Sequence, residues 1–281
     1  MRICIGLLLF VSSLAAGRSS AQDANSIAPQ EVTFRSGELT LHGFLLKPQG
    51  EGPFPAVVWN HGSEAKPGTG ARLGPHFNLY GYVLFVPHRR GHGASADQAR
   101  WIGDLLDEEL KRNGEEARAR LMVSLLEEQL QDQLAAFDYL RTLPFVDPTR
   151  LATFGCSFGG IQTMLAAEKG AGLRAAVNFA GAAMNWERSA VVRERMVKAA
   201  QSARIPVYLI QAENDFSLGP TRVLSEVMTE HGKPHRAQIF PAFGTTNQEG
   251  HGFCGQGSTI WAGPVFSFLR EQFWPDLPSV N

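Results

Sequence analysis

At residues 155–160 the chain reads Gly-Cys-Ser-Phe-Gly-Gly, directly after an apolar run at 151–154 and directly before a helical stretch at 158–168. Glycines on both sides of the serine permit a strand-to-helix bend so tight that larger flanking side chains would collide. Such a turn demands that strand be followed at once by helix, and that order recurs along the chain. Apolar runs enriched in β-branched or aromatic residues stand at 56–59, 82–86, 175–179, 207–210 and 237–240, with helix-like stretches at 221–230 and 258–272. Continuous apolar runs suit strands buried on both faces of a sheet. Two further strands, at 31–34 and 39–46, are expected to form a hairpin about Ser36-Gly37-Glu38. The pattern predicts an α/β fold, a mostly parallel eight-stranded sheet with helices on both faces.

The N-terminus stands apart. Arg2 precedes an apolar run at 3–11, and small residues follow at Ser19-Ser20-Ala21. Charge, apolar run and small residues in that order predict a signal peptide over 1–21, then a short polar linker over 22–29 and one domain over 30–281. A spanning helix needs about 20 apolar residues, which this run does not reach, and no cysteine follows it to carry lipid. A secreted or periplasmic protein without a stable membrane anchor is expected, with Cys156 and Cys254 as its only thiols once Cys4 is removed. The 26 basic and 27 acidic residues leave a net charge of −1 with no basic block, so nucleic acid is not an expected partner.

The segment 101–141 is rich in Leu, Glu, Arg and Gln at helical spacing, with a break expected at Asn113-Gly114. Two readings stand. One is a long surface helix preceded by a shorter one, with its charges on a solvated face. In the other, about 101–125 forms a small helical cap over the site or a subunit contact.

The serine at the bend, Ser157, has its hydroxyl lifted into the open, where it can act as a nucleophile. A serine nucleophile needs a base, and the base needs a group to orient it. Asp215 follows the apolar run 207–210, and His251 lies beyond the run 237–240, so all three residues fall after strands pointing the same way. Glu213 competes with Asp215 but sits closer to its strand, and Asp147 before Pro148 reads as a turn residue. His231 and His235 read as surface residues, while His88 and His92 lie in an Arg/Gly loop upstream of the serine. The oxyanion donors are expected to be the backbone N–H of Phe158 and that of Ser63, in the loop Asn60-His61-Gly62-Ser63. His61 itself need not do chemistry. No His-Glu-x-x-His, paired Cys-x-x-Cys or Gly-x-x-x-x-Gly-Lys pattern occurs, so neither a metal nor a nucleotide cofactor is expected. Trp186 and Phe253 are candidates for the substrate-binding walls, with core packing the competing reading.

These elements resemble the α/β-hydrolase fold and, within it, the dienelactone hydrolase family, with kinship to prolyl-oligopeptidase-type domains. The resemblance rests on Asn60-His61-Gly62, on the loop from Pro87 to Ser95, on the run from Phe145 to Arg150 leading into the bend, and on Glu213-Asn214-Asp215 and Gly250-His251-Gly252-Phe253. It implies Ser157, Asp215 and His251 as a triad that hydrolyses a carboxylic ester or related acyl bond of a small molecule. Dienelactone hydrolases proper carry cysteine at the centre of the bend; here serine occupies it and cysteine stands one place earlier. Arg90 is expected to brace its loop. If Ser157 and His251 come within reach of one another, Cys156 and Cys254 could bridge; the other reading is two separate buried thiols.

Overall fold

The structure, a computed structural model, describes residues 28–277; the signal peptide expected at 1–21 and the linker residues 22–27 lie outside them. Eight strands form one sheet: β1 (Gln30–Ser36), β2 (Leu39–Leu46), β3 (Phe54–Asn60), β4 (Val83–Pro87), β5 (Val146–Cys156), β6 (Ala175–Phe179), β7 (Val207–Ala212) and β8 (His235–Phe240). Their spatial order is β1-β2-β4-β3-β5-β6-β7-β8. β1 and β2 pair antiparallel, as does β2 with β4, and every other pairing is parallel. The expected fold class is therefore the observed one.

Alternate residues of the central strands serve opposite faces. Ala56 and Val58 of β3, with Val83 and Phe85 of β4, join a core beneath the helices α2 (Ile102–Arg141), α3 (Phe158–Lys169), α4 (Ala190–Gln201) and α5 (Gly219–Glu230). Val57, Trp59, Leu84 and Val86 face the second core, under α1 (Gly74–Leu79) and α8 (Ser258–Phe273). This period of two explains why the strands read as unbroken apolar runs: both faces are covered.

From β3 the chain crosses to β4 on one side, then returns to place β5 on the other. Such a reversal opens a crevice at the carboxyl ends of β3 and β5. The loops after β3, β5, β7 and β8 meet there, the last carrying the short helices α6 (Asn247–His251) and α7 (Phe253–Gln256).

The long helical segment breaks at Gly114, whose φ of 82° interrupts α2 where Asn113-Gly114 predicted it. On both sides of the break α2 buries an apolar stripe, with Ile102, Leu106, Met122 and Leu126 in the main core.

Candidate active site

Ser157 caps the N-terminus of α3 with φ 58° and ψ −117°, a left-handed backbone that a non-glycine residue holds only where its surroundings impose it. Those surroundings are tight. A Cβ on Gly155 would meet the Gly159 carbonyl oxygen at 2.0 Å, and one on Gly159 would meet that of Asn60 at 1.9 Å. The N–H of Ser157 donates to the Phe179 carbonyl at 3.0 Å, tying the bend to β6. Phe158 opens α3, where N–H groups lack intrahelical partners and the helix dipole favours negative charge.

The loop after β3 lies directly against this elbow. Asn60 Nδ2 donates to Thr153 Oγ1 and the Phe154 carbonyl of β5 at 3.0 and 2.8 Å. Ser63 lines the same cleft as Ser157, and its carbonyl accepts from Trp101 Nε1 at 3.0 Å.

Beneath that loop stands a residue the sequence did not single out. Arg89 is 1% exposed and donates to the carbonyls of His61 and Gly62 and to Gln129 Oε1. Burial pulls its guanidinium pKa down to about 10, partly offset by Glu64 and Asp132. Around it are three buried imidazoles, with the His61 ring centroid 4.8 Å from that of His92 and 5.9 Å from that of His88. Burial, then Arg89, holds His61 well below the usual histidine range and lowers His92 to about 4. Burial lowers His88 as well. Ring nitrogens of all three engage backbone groups, so the cluster reads as a neutral structural knot. Arg90 braces its loop as expected, through Asp132 of α2. Among the described residues no group of three His, Cys, Asp or Glu side chains is placed to hold a metal ion.

Asp215 and His251 come together as anticipated. His251 Nδ1 donates to Asp215 Oδ1 at 2.9 Å, and the carboxylate also accepts from Gln211 Nε2 and the Phe216 N–H. Three donors hold the carboxylate in place and fix the imidazole tautomer, with Nδ1 protonated. Gln211 is a further positioning residue that the sequence reading missed, since a glutamine inside a buried strand gives no motif. Glu213 is exposed, which leaves Asp215 as the orienting acid. The remaining ring nitrogen, His251 Nε2, is buried without a hydrogen-bond partner, and both His251 and Ser157 line one cleft. The acid–base half of the constellation is thus formed, while the serine–histidine hydrogen bond is open; such contacts often tighten only on substrate binding.

His251 ends α6, which begins with a capping box between Thr246 and Glu249. Asn214 Nδ2 secures the approach to α6 by donating to the carbonyls of Phe243 and Thr246. Cys156, just before the nucleophile candidate, is joined to Cys254 of α7 by a disulfide with a Cα separation of 6.0 Å.

The cleft has a volume of about 780 Å³ and is walled by the stretches 61–64 and 68–73, by Trp59, Val86 and Met184, and by residues from 248 to 256. Neither expected wall residue belongs to it. Trp186 is 4% exposed and packs into the main core, its ring so close to Gly219 that a Cβ there would approach to 2.2 Å. The loop before it carries Ala180 and Ala182 at φ 55° and 72°, and it presents Met184, 43% exposed, to the cleft. Phe253 is buried and packs at a tilt against Phe240 and Phe243, with ring centroids 5.1 and 5.5 Å apart. No residue of 101–125, the segment read as a cap or a subunit contact, lines the cleft, and the stripe of α2 that faces the core is packed in the manner of the long surface helix.

A sheet of this strand order, with the serine, aspartate and histidine loops at the carboxyl ends of β5, β7 and β8, defines the α/β-hydrolase fold. The model of the dienelactone hydrolase family matches residues 41–261, and the chain belongs to that family. Among solved structures it is similar to an acylaminoacyl peptidase of Pyrococcus horikoshii, with TM-score 0.66 and 20% identity over 89% of this chain and 42% of that one. A putative dienelactone hydrolase of Klebsiella pneumoniae gives TM-score 0.61 and 17% identity, covering 90% of this chain and all of the other. Among curated proteins, the quorum-quenching protein AidA of Acinetobacter baumannii is 28% identical over 134 residues, 47% of this chain and 37% of that relative.

Proposed function

We propose that this hydrolase is a secreted or periplasmic serine enzyme that cleaves carboxylic esters or related acyl bonds, lactones included, through Ser157, His251 and Asp215. The observation that carries the reading is the 2.9 Å bond from His251 Nδ1 to a thrice-held Asp215, with Nε2 left free in the cleft that bears Ser157. Ser157 Oγ attacks the acyl carbonyl carbon as His251 Nε2 takes its proton. The imidazolium, steadied by Asp215, gives that proton to the leaving alkoxide. Water then attacks the acyl-enzyme with His251 as base, releasing the acid and restoring the serine. The Phe158 and Ser63 amides are assigned to the oxyanion, where a single donor is worth about 2.7–4 kcal/mol. The Cys156–Cys254 disulfide supports an oxidising location, as does the N-terminal order of charge, apolar run and small residues.

The test is hydrolysis of p-nitrophenyl esters from acetyl to octanoyl by wild type and Ser157→Ala. Turnover lost with the serine supports the assignment; turnover that survives places the chemistry elsewhere. Likeness to the acylaminoacyl peptidase fold makes small-peptide cleavage the second reading, tested with short peptide anilides. A fold that binds without turnover is the third, separated from both by failure of a fluorophosphonate to label Ser157.

A further inference from the structure

We infer that the Cys156–Cys254 disulfide is a positioning device that sets His251 against Ser157, and that it makes turnover depend on an oxidising environment. The inference rests on the triad proposed above. The bridge ends at the residue immediately before the nucleophile and three residues past the base, closing a sequence separation of 98. Both sulfurs lie close to the His251 carbonyl oxygen, Cys156 Sγ at 3.9 Å and Cys254 Sγ at 3.8 Å, so the link runs beside the backbone of the base itself.

The histidine loop has few other anchors toward the serine. Most of 241–249 is exposed. Its hydrogen bonds run to the β7 loop, through Asn214 and Asp215, and to α8, where Trp261 Nε1 donates to the Cys254 carbonyl. Among the described residues no N–H or O–H hydrogen bond joins the elbow, 155–160, to the stretch 241–257. Asp215 therefore fixes the tilt of the imidazole, and the bridge fixes the distance of its loop from the nucleophile. Both cysteines line the cleft, which gives a small thiol access to the sulfurs. On reduction by a dithiol, each protein sulfur takes up one electron and one proton while the dithiol closes to its own disulfide.

A shift of this loop by about 1 Å is enough to spoil attack geometry while leaving the rest of the cleft in place. The experiment measures p-nitrophenyl ester kinetics on the full chain, oxidised and after dithiothreitol, with alkylation mapped to Cys156 and Cys254 and far-UV circular dichroism recorded. A second arm uses Cys156→Ala/Cys254→Ala. The expected result is a fall in kcat of about tenfold or more, KM within roughly threefold, an unchanged spectrum, and recovery of the wild type on reoxidation with oxidised glutathione. The fluorophosphonate labelling rate of Ser157 should fall in parallel. Full kcat in protein with both cysteines alkylated overturns the inference, as does finding both thiols free in the untreated protein. If the double variant does not fold, reduction of the wild type decides alone. Ser157-dependent turnover that ignores reduction defeats this inference and leaves the triad standing; turnover that survives Ser157→Ala defeats the triad itself.

Discussion

Arg89 reaches the backbone of Gly62 with a 2.7 Å hydrogen bond, and a second bond of 2.8 Å takes in the His61 carbonyl. A fully buried guanidinium thereby fixes the peptide that precedes Ser63, one of the two amides assigned to the oxyanion. Replacing Arg89 by Met strands these carbonyls and Gln129 without a donor. The expected loss is about 3 kcal/mol of stability or more, with kcat/KM down by roughly 10–100-fold as the amide loses its place. Urea unfolding and ester kinetics on Arg89→Met check both numbers; Arg89→Lys, with one ammonium for the two carbonyls, should fall between.

Asp215→Asn keeps the shape of the site and reverses its logic. An amide nitrogen facing His251 Nδ1 forces the other tautomer and removes the lone pair from Nε2. A drop in kcat of about 10⁴-fold is expected, with the fold retained. Measured kcat within about tenfold of wild type, which corresponds to only about 1.4 kcal/mol in the barrier, would falsify the orienting role.

The buried imidazoles make stability depend on pH in a stated direction. In the unfolded chain His92 takes a proton near its ordinary value of 6.5; in the folded chain it does so only at about 4. Between those values the unfolded state binds more protons. The contribution is therefore fully present above 6.5 and is lost as pH falls toward 4, on the order of 3 kcal/mol for His92. His61 and His88 shift in the same direction and steepen the decline. Urea midpoints at pH 7.5 and pH 5 should show the fall, and His92→Gln should flatten it.

Met184 and Trp186 stand two residues apart and should respond oppositely. Met184→Trp narrows the cleft and should lower kcat/KM for octanoyl relative to acetyl ester by about tenfold, the scale of a methylene or two in an apolar pocket. Trp186→Ala should cost about 3–5 kcal/mol of stability with no change in chain-length preference. An altered preference in the second variant would return Trp186 to the cleft wall.

The sheet and the meeting of Asp215 with His251 were legible because each leaves a one-dimensional trace. Burial on both faces writes apolar runs, and a strand-to-helix bend around Ser157 writes its glycines; Asp215 and His251 then follow from chain order. The supports left no such trace. Arg89 and Arg90 are adjacent and chemically alike, yet one is sealed under the loop after β3 and the other pairs with Asp132. The strand edges were also understated. β5 begins at Val146, through Asp147-Pro148-Thr149-Arg150, whose side chains bond to one another much as in a turn. Side-chain direction was the hardest to read. Trp186 points inward after a loop in which Ala180 and Ala182 adopt left-handed backbones, a conformation that alanine does not advertise.

The contact of Gly159 with the Asn60 carbonyl has a consequence for how this protein could diversify. The elbow and the loop after β3 share one seam with no room for even a methyl group, so neither can be remodelled without the other. Adaptation of the cleft is thereby channelled to the stretch 68–73 and Met184, which line it outside that seam.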